Sequence, residues 1–219
     1  MRVAVFGAGG RVGKALVARI TAADDLTLAG TPGHTLASGS FDACDVVIDF
    51  SSPAGTMALL DHLAGSALPV VVGTTGFDAA QMQRLRDDGA RRPILVAANF
   101  TPGFGAFHAA LLGLVAALPD AGLTLHETYN AAKKSQPSGT TLGLQADIAA
   151  LDPQRALTFK LHREGEISGI TTLVLALDSA QITLTLNVES RDAYAAGALA
   201  GARSLIRQAA GFYTLDTVN

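Results

Sequence analysis

The most informative motif for the fold lies near the N-terminus: Val3-Ala4-Val5-Phe6-Gly7-Ala8-Gly9-Gly10-Arg11-Val12-Gly13. An apolar block typical of a buried strand runs into a glycine-rich turn, and apolar residues at helical spacing follow from Val12 to Ile20. Glycines let the backbone approach a pyrophosphate, and the first N–H groups of a helix favour an anion. The spacing is Gly7-x-x-Gly10-x-x-Gly13 and not G-x-G-x-x-G, because Val12 stands where the third glycine would fall. The strand before the turn and the helix after it nevertheless favour a dinucleotide-binding turn over one that merely tolerates glycine.

The first hundred residues repeat this alternation of strand and helix. Strand-like blocks that are apolar throughout are interspersed with segments of helical spacing. Strands that are apolar on both faces and alternate with helices predict a parallel sheet covered on both sides, with right-handed crossovers. The predicted strands are 3–6, 26–29, 46–50, 70–73 and 94–98, and the predicted helices are 12–20, 53–65 and 78–89.

After Asn99 the pattern changes to an α+β unit. Three strand-like runs follow one another without helices, and in the last of them apolar residues alternate with polar ones, which is typical of a sheet with one polar face. We therefore expect a first domain of residues 1–100 plus 192–219 and a second domain of residues 101–191 with a mixed open sheet. The predicted elements are helices 103–118, 141–150 and 193–209 and strands 123–129, 156–162, 170–177 and 181–188.

Composition excludes several classes of protein. Hydrophobic residues make up 49% of the 219 residues and charged residues 16%, which is too apolar for a disordered chain. The net charge is −3 and no basic run exceeds two residues, so we expect no nucleic-acid partner. Apolar runs are too short for a transmembrane helix and no signal peptide is evident, so we expect no membrane partner and a cytoplasmic location. Cys44 is the only cysteine and no histidine stands at metal-ligand spacing, so we predict neither a disulfide within the chain nor a metal site.

Three further turns follow strands of the predicted parallel sheet: residues 49–53, 73–77 and 97–101. Ligands of open parallel sheets bind beyond the carboxyl ends of the strands, so these turns are expected to contact the nicotinamide end of a dinucleotide. Ser51 or Ser52 is also expected to cap the helix that starts near Pro53, which is compatible with a cofactor role. The predicted cofactor-binding residues are Gly7, Gly9, Gly10, Arg11, Val12, Phe50, Ser51, Gly73, Thr74, Thr75, Ala97, Asn99 and Phe100.

The end of the second strand leaves the choice between NADH and NADPH open. An acidic residue there would hold a ribose hydroxyl, but residues Ala29-Gly30-Thr31-Pro32-Gly33-His34 include no Asp, Glu or Arg. Arg11 is either a phosphate ligand or a solvated side chain at the start of a helix.

A second polar cluster spans residues 127–141 in the second domain. It contains two of the four lysines of the chain, and Ser138-Gly139-Thr140-Thr141 opens a helix. Free N–H groups, hydroxyls and a nearby lysine would bind a carboxylate well. The alternative is a capped helix that follows a solvated basic loop.

The two clusters together resemble the dihydrodipicolinate reductase family, the 4-hydroxy-tetrahydrodipicolinate reductases of lysine and diaminopimelate biosynthesis. The glycine turn, the three turns after the strands and the segment from Lys133 to Thr140 all match motifs of that family, and Arg163-x-Gly165 and Ser190-Arg191 also fit. The resemblance implies a Rossmann-type cofactor domain and a domain for substrate binding and oligomerisation. It also implies NADH or NADPH as the cofactor, hydride transfer to a cyclic dicarboxylate substrate, and a homotetramer.

The chain departs from the family signature at three positions. The family has His-His ahead of the lysine, where this chain has Tyr129 and Asn130, and Ser135 stands in place of an Asp. A phenol, with an ordinary pKa of about 10 against about 6.5 for imidazole, holds its proton more firmly at neutral pH. His126 has odd spacing from Tyr129 on the strand and is expected on the opposite face. By resemblance, the catalytic residues are Tyr129 and Lys133, and the substrate-binding residues are Asn130, Lys133, Ser138, Gly139 and Thr140.

Three hypotheses for the function follow from these residues. The first is a working reductase of this family with Tyr129 in place of the histidine. The second is a diverged relative that reduces another carboxylate-bearing cyclic imine or enamine. The third is a non-catalytic dinucleotide-binding protein. Retention of Lys133 and of Pro137 to Thr140 favours the first two hypotheses, because a carboxylate site has no use without a substrate.

Overall fold

The computed structural model describes residues 1–33, 36 and 41–218, and the chain divides into two compact units. Unit 1 comprises Met1–Phe100 and Arg191–Asn219, and unit 2 comprises Thr101–Ser190. In chain order the elements are β1 (Arg2–Phe6), α1 (Arg11–Ala22), β2 (Thr27–Gly30), β3 (Val46–Asp49), α2 (Pro53–His62), β4 (Val70–Val72), α3 (Ala79–Asp88), β5 (Pro93–Val96), α4 (Phe104–Ala117), β6 (Gly122–Tyr129), α5 (Gly139–Leu151), β7 (Leu157–Arg163), β8 (Gly169–Ala176), β9 (Gln181–Val188), α6 (Asp192–Leu205) and β10 (Gly211–Tyr213).

Unit 1 is built on a six-stranded sheet in the order β10-β5-β4-β3-β1-β2, in which every pair is parallel. Successive residues of one strand enter two separate cores, one on each face of the sheet. Val3 and Val5 of β1 pack with α1 and α6, whereas Ala4 and Phe6 pack with α2 and α3. Because both faces are covered, the central strands are apolar throughout, and the predicted parallel sheet is confirmed.

The structure corrects two details of the prediction in unit 1. The short strand β10 pairs with the edge strand β5, and the sequence pattern did not predict it. Helix α6 ends at Leu205 rather than near residue 209, and Gly211 then begins β10. A strand of three residues is too short to show a periodicity of its own, so only its pairing with β5 reveals it.

A buried ion pair joins α3 to β5 in unit 1. Arg92 is fully buried, and its Nε lies 2.8 Å from Oδ2 of Asp88. The same guanidinium donates a hydrogen bond of 2.6 Å to the carbonyl oxygen of Leu63, at the C-terminal end of α2. A single side chain therefore connects α2, α3 and β5.

Unit 2 contains a mixed sheet in the order β7-β6-β8-β9. Strand β6 is parallel to β7 and antiparallel to β8, which is antiparallel to β9. Helices α4 and α5 cover one face, where Leu111 and Ile148 pack against Leu125 and Leu173. The mixed open sheet predicted for this region is confirmed. No helix in the described part of the chain is long and apolar enough to cross a membrane.

Candidate active site

The turn between β1 and α1 needs glycine at two positions for reasons of backbone geometry. Gly7 has a φ of +84°, and a Cβ atom there would lie 2.6 Å from the carbonyl oxygen of Phe50. A Cβ atom on Gly13 would lie 2.2 Å from the carbonyl oxygen of Gly7, so the helix start and the turn are in direct contact. A Cβ atom on Gly9 would meet nothing within 4 Å, so this residue faces open space.

A cavity of about 310 Å³ lies between this turn and the end of β2. The described residues of its lining are uncharged, and the N-terminus of α1 has no side-chain cap. Uncapped N–H groups beside a glycine turn suit the pyrophosphate of a dinucleotide. The residues present therefore fit the predicted cofactor. The described lining residues are Phe6, Gly7, Ala8, Gly9, Thr31, Pro32, Gly33 and Ser51, whereas His34 lies outside the described residues.

One buried carboxylate ties together the turns that follow β3 and β4. Asp49 accepts hydrogen bonds from the backbone N–H of Ser51 (2.9 Å), from the hydroxyl of Thr56 (2.5 Å) and from the hydroxyl of Thr74 (3.2 Å). Burial raises the pKa of the Asp49 carboxyl, and these hydrogen bonds oppose the rise. The predicted cofactor residues Ser51 and Thr74 thus meet at Asp49, which the sequence analysis did not assign to the site. Ser52 provides the predicted helix cap by accepting from the N–H of Gly55 at 3.2 Å.

The aromatic ring of Phe50 shapes the same edge of the sheet. A Cβ atom on Gly73 would lie 2.2 Å from the Phe50 ring, so the ring occupies the space that a side chain at 73 would need. The rings of Phe50 and Phe100 lie 5.8 Å apart. Phe100 is only 2% exposed and belongs to the core of unit 1, where it packs beneath this edge.

The remaining predicted cofactor residues differ in exposure. Arg11 is exposed at the first position of α1, and Val12 packs partly into the core. Asn99 is 4% exposed, and the N–H of Ala97 donates to the carbonyl oxygen of Val72 at 3.2 Å, which joins the ends of β5 and β4. Gly10 closes the glycine turn through its N–H, and Thr75 is half-buried.

Strand β6 places two polar side chains on its inward face. Tyr129 and Glu127 alternate with residues of the opposite face, and both are buried. His126 lies on that opposite face, as the spacing predicts, where burial and the nearby Lys160 and His162 lower its pKa. Tyr129 is therefore the residue that β6 brings to the loop of residues 130–138.

Glu127 is fully buried and is bonded to the start of α5. Its carboxylate accepts from the N–H of Ser138 at 3.0 Å and from the hydroxyl of Thr141 at 2.5 Å, and it forms an ion pair with Arg163. Burial alone would raise the pKa of the Glu127 carboxyl, but the hydrogen bonds from Thr141, Ser138 and Arg163 outweigh burial and lower it. Ser138 caps the helix by accepting from the N–H of Thr141 at 3.2 Å.

Two cations lie against the ring of Tyr129. The Lys133 ammonium is 4.5 Å from the ring centroid, and the Arg163 guanidinium carbon is 5.6 Å from it. Both distances are within the range of cation–π attraction. The predicted catalytic residues Tyr129 and Lys133 are thus in contact with each other. Asn130 is 4% exposed, and its side-chain oxygen accepts from the N–H of Ala132 at 3.1 Å.

The roles of three residues in these two groups did not follow from the sequence: Asp49, Glu127 and Arg163. A signal for Glu127 was present, because a charged residue stood at an inward position of a strand whose other inward residues are apolar. Arg163 belonged to a motif that fitted the family, but no chemistry was attached to it. The predicted substrate residues Gly139 and Thr140 form the first turn of α5, where Gly139 is half-buried and Thr140 is buried.

Comparisons with known proteins agree with this arrangement. Family models described as "Dihydrodipicolinate reductase, N-terminus" and "Dihydrodipicolinate reductase, C-terminus" match residues 1–100 and 105–218. A "4-hydroxy-tetrahydrodipicolinate reductase" of Thermomicrobium roseum is 32% identical over 99% of this chain and 98% of its own length. A protein of the same name from Gluconacetobacter diazotrophicus is also 32% identical, over 100% of this chain and 96% of its own.

Solved structures show the same fold. The dipicolinate-bound dihydrodipicolinate reductase of Paenisporosarcina sp. TG-14 superposes with a TM-score of 0.75 at 17% identity, covering 98% of this chain and 97% of that one. An engineered D-amino acid dehydrogenase bound to NADP⁺ superposes with a TM-score of 0.54 at 13% identity, over 98% and 93% of the two chains. Since the two family matches span both compact units and the relatives align from end to end, the chain belongs to the dihydrodipicolinate reductase family.

Proposed function

We propose that this protein is an NAD(P)H-dependent oxidoreductase that reduces 4-hydroxy-tetrahydrodipicolinate to tetrahydrodipicolinate in lysine and diaminopimelate biosynthesis. One observation within this family carries the proposal: the family signature is retained at Lys133, whose ammonium lies against the Tyr129 ring, and at the start of α5, which Ser138 caps. A chain that had lost its dicarboxylate substrate would have no use for that group.

Unit 1 is the proposed cofactor domain. The glycine turn with Gly7, Gly9 and Gly10 and the N-terminus of α1 would hold the pyrophosphate, and Arg11 would contact a phosphate. The bound nicotinamide supplies the hydride. Phe50, Ser51, Gly73, Thr74, Thr75, Ala97, Asn99 and Phe100 would form the nicotinamide side of the site, with Phe100 acting from the core beneath it.

Unit 2 is the proposed substrate domain. The Lys133 ammonium and the N-terminal turn of α5, with Ser138, Gly139 and Thr140, would bind a substrate carboxylate, since that helix end favours an anion. Asn130 would contribute its amide. Lys133 and Tyr129 are the proposed catalytic residues: Lys133 neutralises carboxylate charge, and the Tyr129 hydroxyl donates a hydrogen bond or a proton to the reacting ring.

Cofactor preference, assembly and location are further parts of the proposal. Among the described residues that line the cavity near β2, none is acidic to repel a 2′-phosphate and none is basic to select one, which supports use of either NADH or NADPH. Ile170 and Val174 are only half-buried on the sheet face opposite α4 and α5, which supports a homotetramer formed by sheet pairing. A biosynthetic role supports the cytoplasm.

The test is the loss of reduced-nicotinamide absorbance while the substrate is generated in place from pyruvate and aspartate semialdehyde. Substrate-dependent oxidation of NADH or NADPH is expected and would rank the two cofactors. Lys133→Ala should abolish most of the activity, while the neighbouring exposed Lys134→Ala serves as a matched control. Turnover by Lys133→Ala at the parent rate would refute the assignment of Lys133.

A second candidate is a reductase for another carboxylate-bearing cyclic imine or enamine. The observation in its favour is the change at the family's paired histidines to Tyr129 and Asn130, together with Ser135 in the same loop. Intact binding of NADH or NADPH without oxidation on dihydrodipicolinate would select this candidate. Melting temperature measured with each nucleotide reports that binding independently, because a ligand of the native state raises it.

A further inference from the structure

The carboxylate of Glu127 connects the separate parts of the substrate group of unit 2. It lies on β6 two residues before Tyr129, and its bonds go to the cap residue of α5, to the first turn of α5 and to the end of β7. Its partners Ser138, Thr141 and Arg163 are 11, 14 and 36 residues away along the chain. A fully buried carboxylate that holds three such partners fixes their relative positions.

Arg163 forms the other half of this connection. Besides its ion pair with Glu127, it donates a hydrogen bond of 2.6 Å to the carbonyl oxygen of Ser135 and lies against the ring of Tyr129. It therefore ties the loop between Lys133 and Ser138 to the end of β7. The planar guanidinium also donates to the carbonyl oxygen of His162, so it bonds three acceptors in fixed directions, which a lysine ammonium does not reproduce.

Charge gives the pair a second consequence. Glu127 places a negative charge at the same helix start that is proposed to receive a substrate carboxylate, and Arg163 compensates it. Without Arg163, the Glu127 carboxylate would repel a substrate carboxylate at this helix start.

We infer that Glu127 and Arg163 are positioning residues of the substrate site: they hold the Lys133–Ser138 loop and the start of α5 in the arrangement that binds a substrate carboxylate, and they do not contact the substrate. This inference rests on the proposed function. The competing idea is that Arg163 is itself a ligand of the substrate. The two ideas predict opposite changes in substrate affinity for Glu127→Gln. If Arg163 contacts the substrate, releasing it from Glu127 would strengthen binding. If Arg163 only positions the loop, releasing it would disorder the loop and weaken binding.

The experiment measures dipicolinate binding by calorimetry in the presence of saturating NADH, together with kcat and KM, for the full-length protein. Glu127→Gln and Arg163→Lys are each expected to raise the dipicolinate Kd and the KM roughly 10- to 100-fold, the range for losing a charge-assisted hydrogen bond. We expect kcat to change much less and the NADH Kd to stay at the parent value. Glu164→Gln, an exposed neighbour, is the matched control.

A milder pair of variants covers the case in which Glu127→Gln fails to fold. Thr141→Val removes only the hydroxyl that donates to Glu127, and Thr141→Ser restores a hydroxyl at the same place. Weaker dipicolinate binding in Thr141→Val that Thr141→Ser rescues supports positioning. Tighter binding in Glu127→Gln, or parent-like binding in both Glu127→Gln and Arg163→Lys, overturns it.

The parent protein separates failure of this inference from failure of the proposed function. If the parent binds NADH but neither binds dipicolinate nor turns over the substrate, the proposed function is wrong, and the inference falls with it. If the parent binds and turns over normally while the variants match it, only the positioning role is wrong.

Discussion

Replacing Gly9 by alanine is expected to weaken dinucleotide binding without destabilising the protein. A Cβ atom at Gly9 meets no atom within 4 Å, and the residue does not have a left-handed φ, so the folded chain accepts the methyl group. Alanine at such a position stabilises a protein by about 0.4–1 kcal/mol, because it restricts the unfolded chain. Gly9 lines the cavity in which a pyrophosphate is expected, so a methyl group there would crowd the cofactor. We predict at least a tenfold weaker Kd, or about 1.4 kcal/mol.

Gly7→Ala changes the same turn, but here we expect the alanine to destabilise the folded protein. Its φ of +84° costs an L-residue about 1–2 kcal/mol. Its Cβ atom would also lie 2.6 Å from the carbonyl oxygen of Phe50, which is backbone and cannot swing aside. We therefore expect the free energy of unfolding to fall by at least 1–2 kcal/mol. Gly143→Ala, on the exposed side of α5 with open space around it, should raise stability by about 0.5–1 kcal/mol and leave nucleotide binding unchanged.

The assay combines urea denaturation, followed by circular dichroism, with titration of NADH and NADPH for the three variants. Parent-like affinity in a folded Gly9→Ala variant would refute the placement of the pyrophosphate at this turn. A loss of more than about 1 kcal/mol of stability in Gly9→Ala would refute the claim that this glycine faces open space.

Three further predictions concern stability and reactivity. Arg92→Met should lower the free energy of unfolding by about 3 kcal/mol or more in urea denaturation, because it removes the 2.8 Å ion pair of buried Asp88 and the donor to the Leu63 carbonyl. A double variant with Asp88→Leu should recover part of the loss. A loss below about 1 kcal/mol would contradict the role of the pair. Cys44 is 8% exposed, and burial raises the pKa of its thiol to about 11. A disulfide reagent at neutral pH should therefore label Cys44 far more slowly in the native protein than in urea. Equal labelling rates would argue against that burial. The pKa of Glu127 is lowered in the folded state, so its contribution to stability is fully present above the ordinary value of 4.5 and is lost as pH falls through the folded pKa. Glu127→Gln should therefore flatten the decline of the free energy of unfolding in acid. An unchanged decline below pH 4.5 would be evidence against the network.

Most of the secondary structure followed from local patterns. The apolar blocks of unit 1 and the alternating strands of unit 2 stand in the structure where periodicity placed them, within a few residues. The opposite facing of His126 and Tyr129 also followed from their odd spacing on one strand. These are properties of short segments, because the period of side chains along a strand or helix does not depend on the rest of the chain.

The candidate site followed from the sequence only in part. The glycine turn and the start of α5 could be located because both are continuous motifs. Glu127 was marked by its charge at an inward position of an apolar strand, but its role and that of Asp49 could not be assigned. A carboxylate in an apolar strand has no local sign of the partners that make its burial tolerable. Phe100 appears in sequence as part of a turn after a strand, yet it lies in the core at 2% exposure.

Local patterns and motifs were sufficient to identify the family, the doubly covered parallel sheet and the change to a mixed sheet after Asn99. The pairing of β10 with β5, and the ion pair between Glu127 and Arg163, 36 residues apart, became visible only in the folded chain. These two kinds of feature differ in how far apart along the chain the interacting residues are. The pattern of apolar and polar residues is a property of each short segment. A strand pairing, an ion pair or a hydrogen bond between distant segments exists only after those segments have folded against one another.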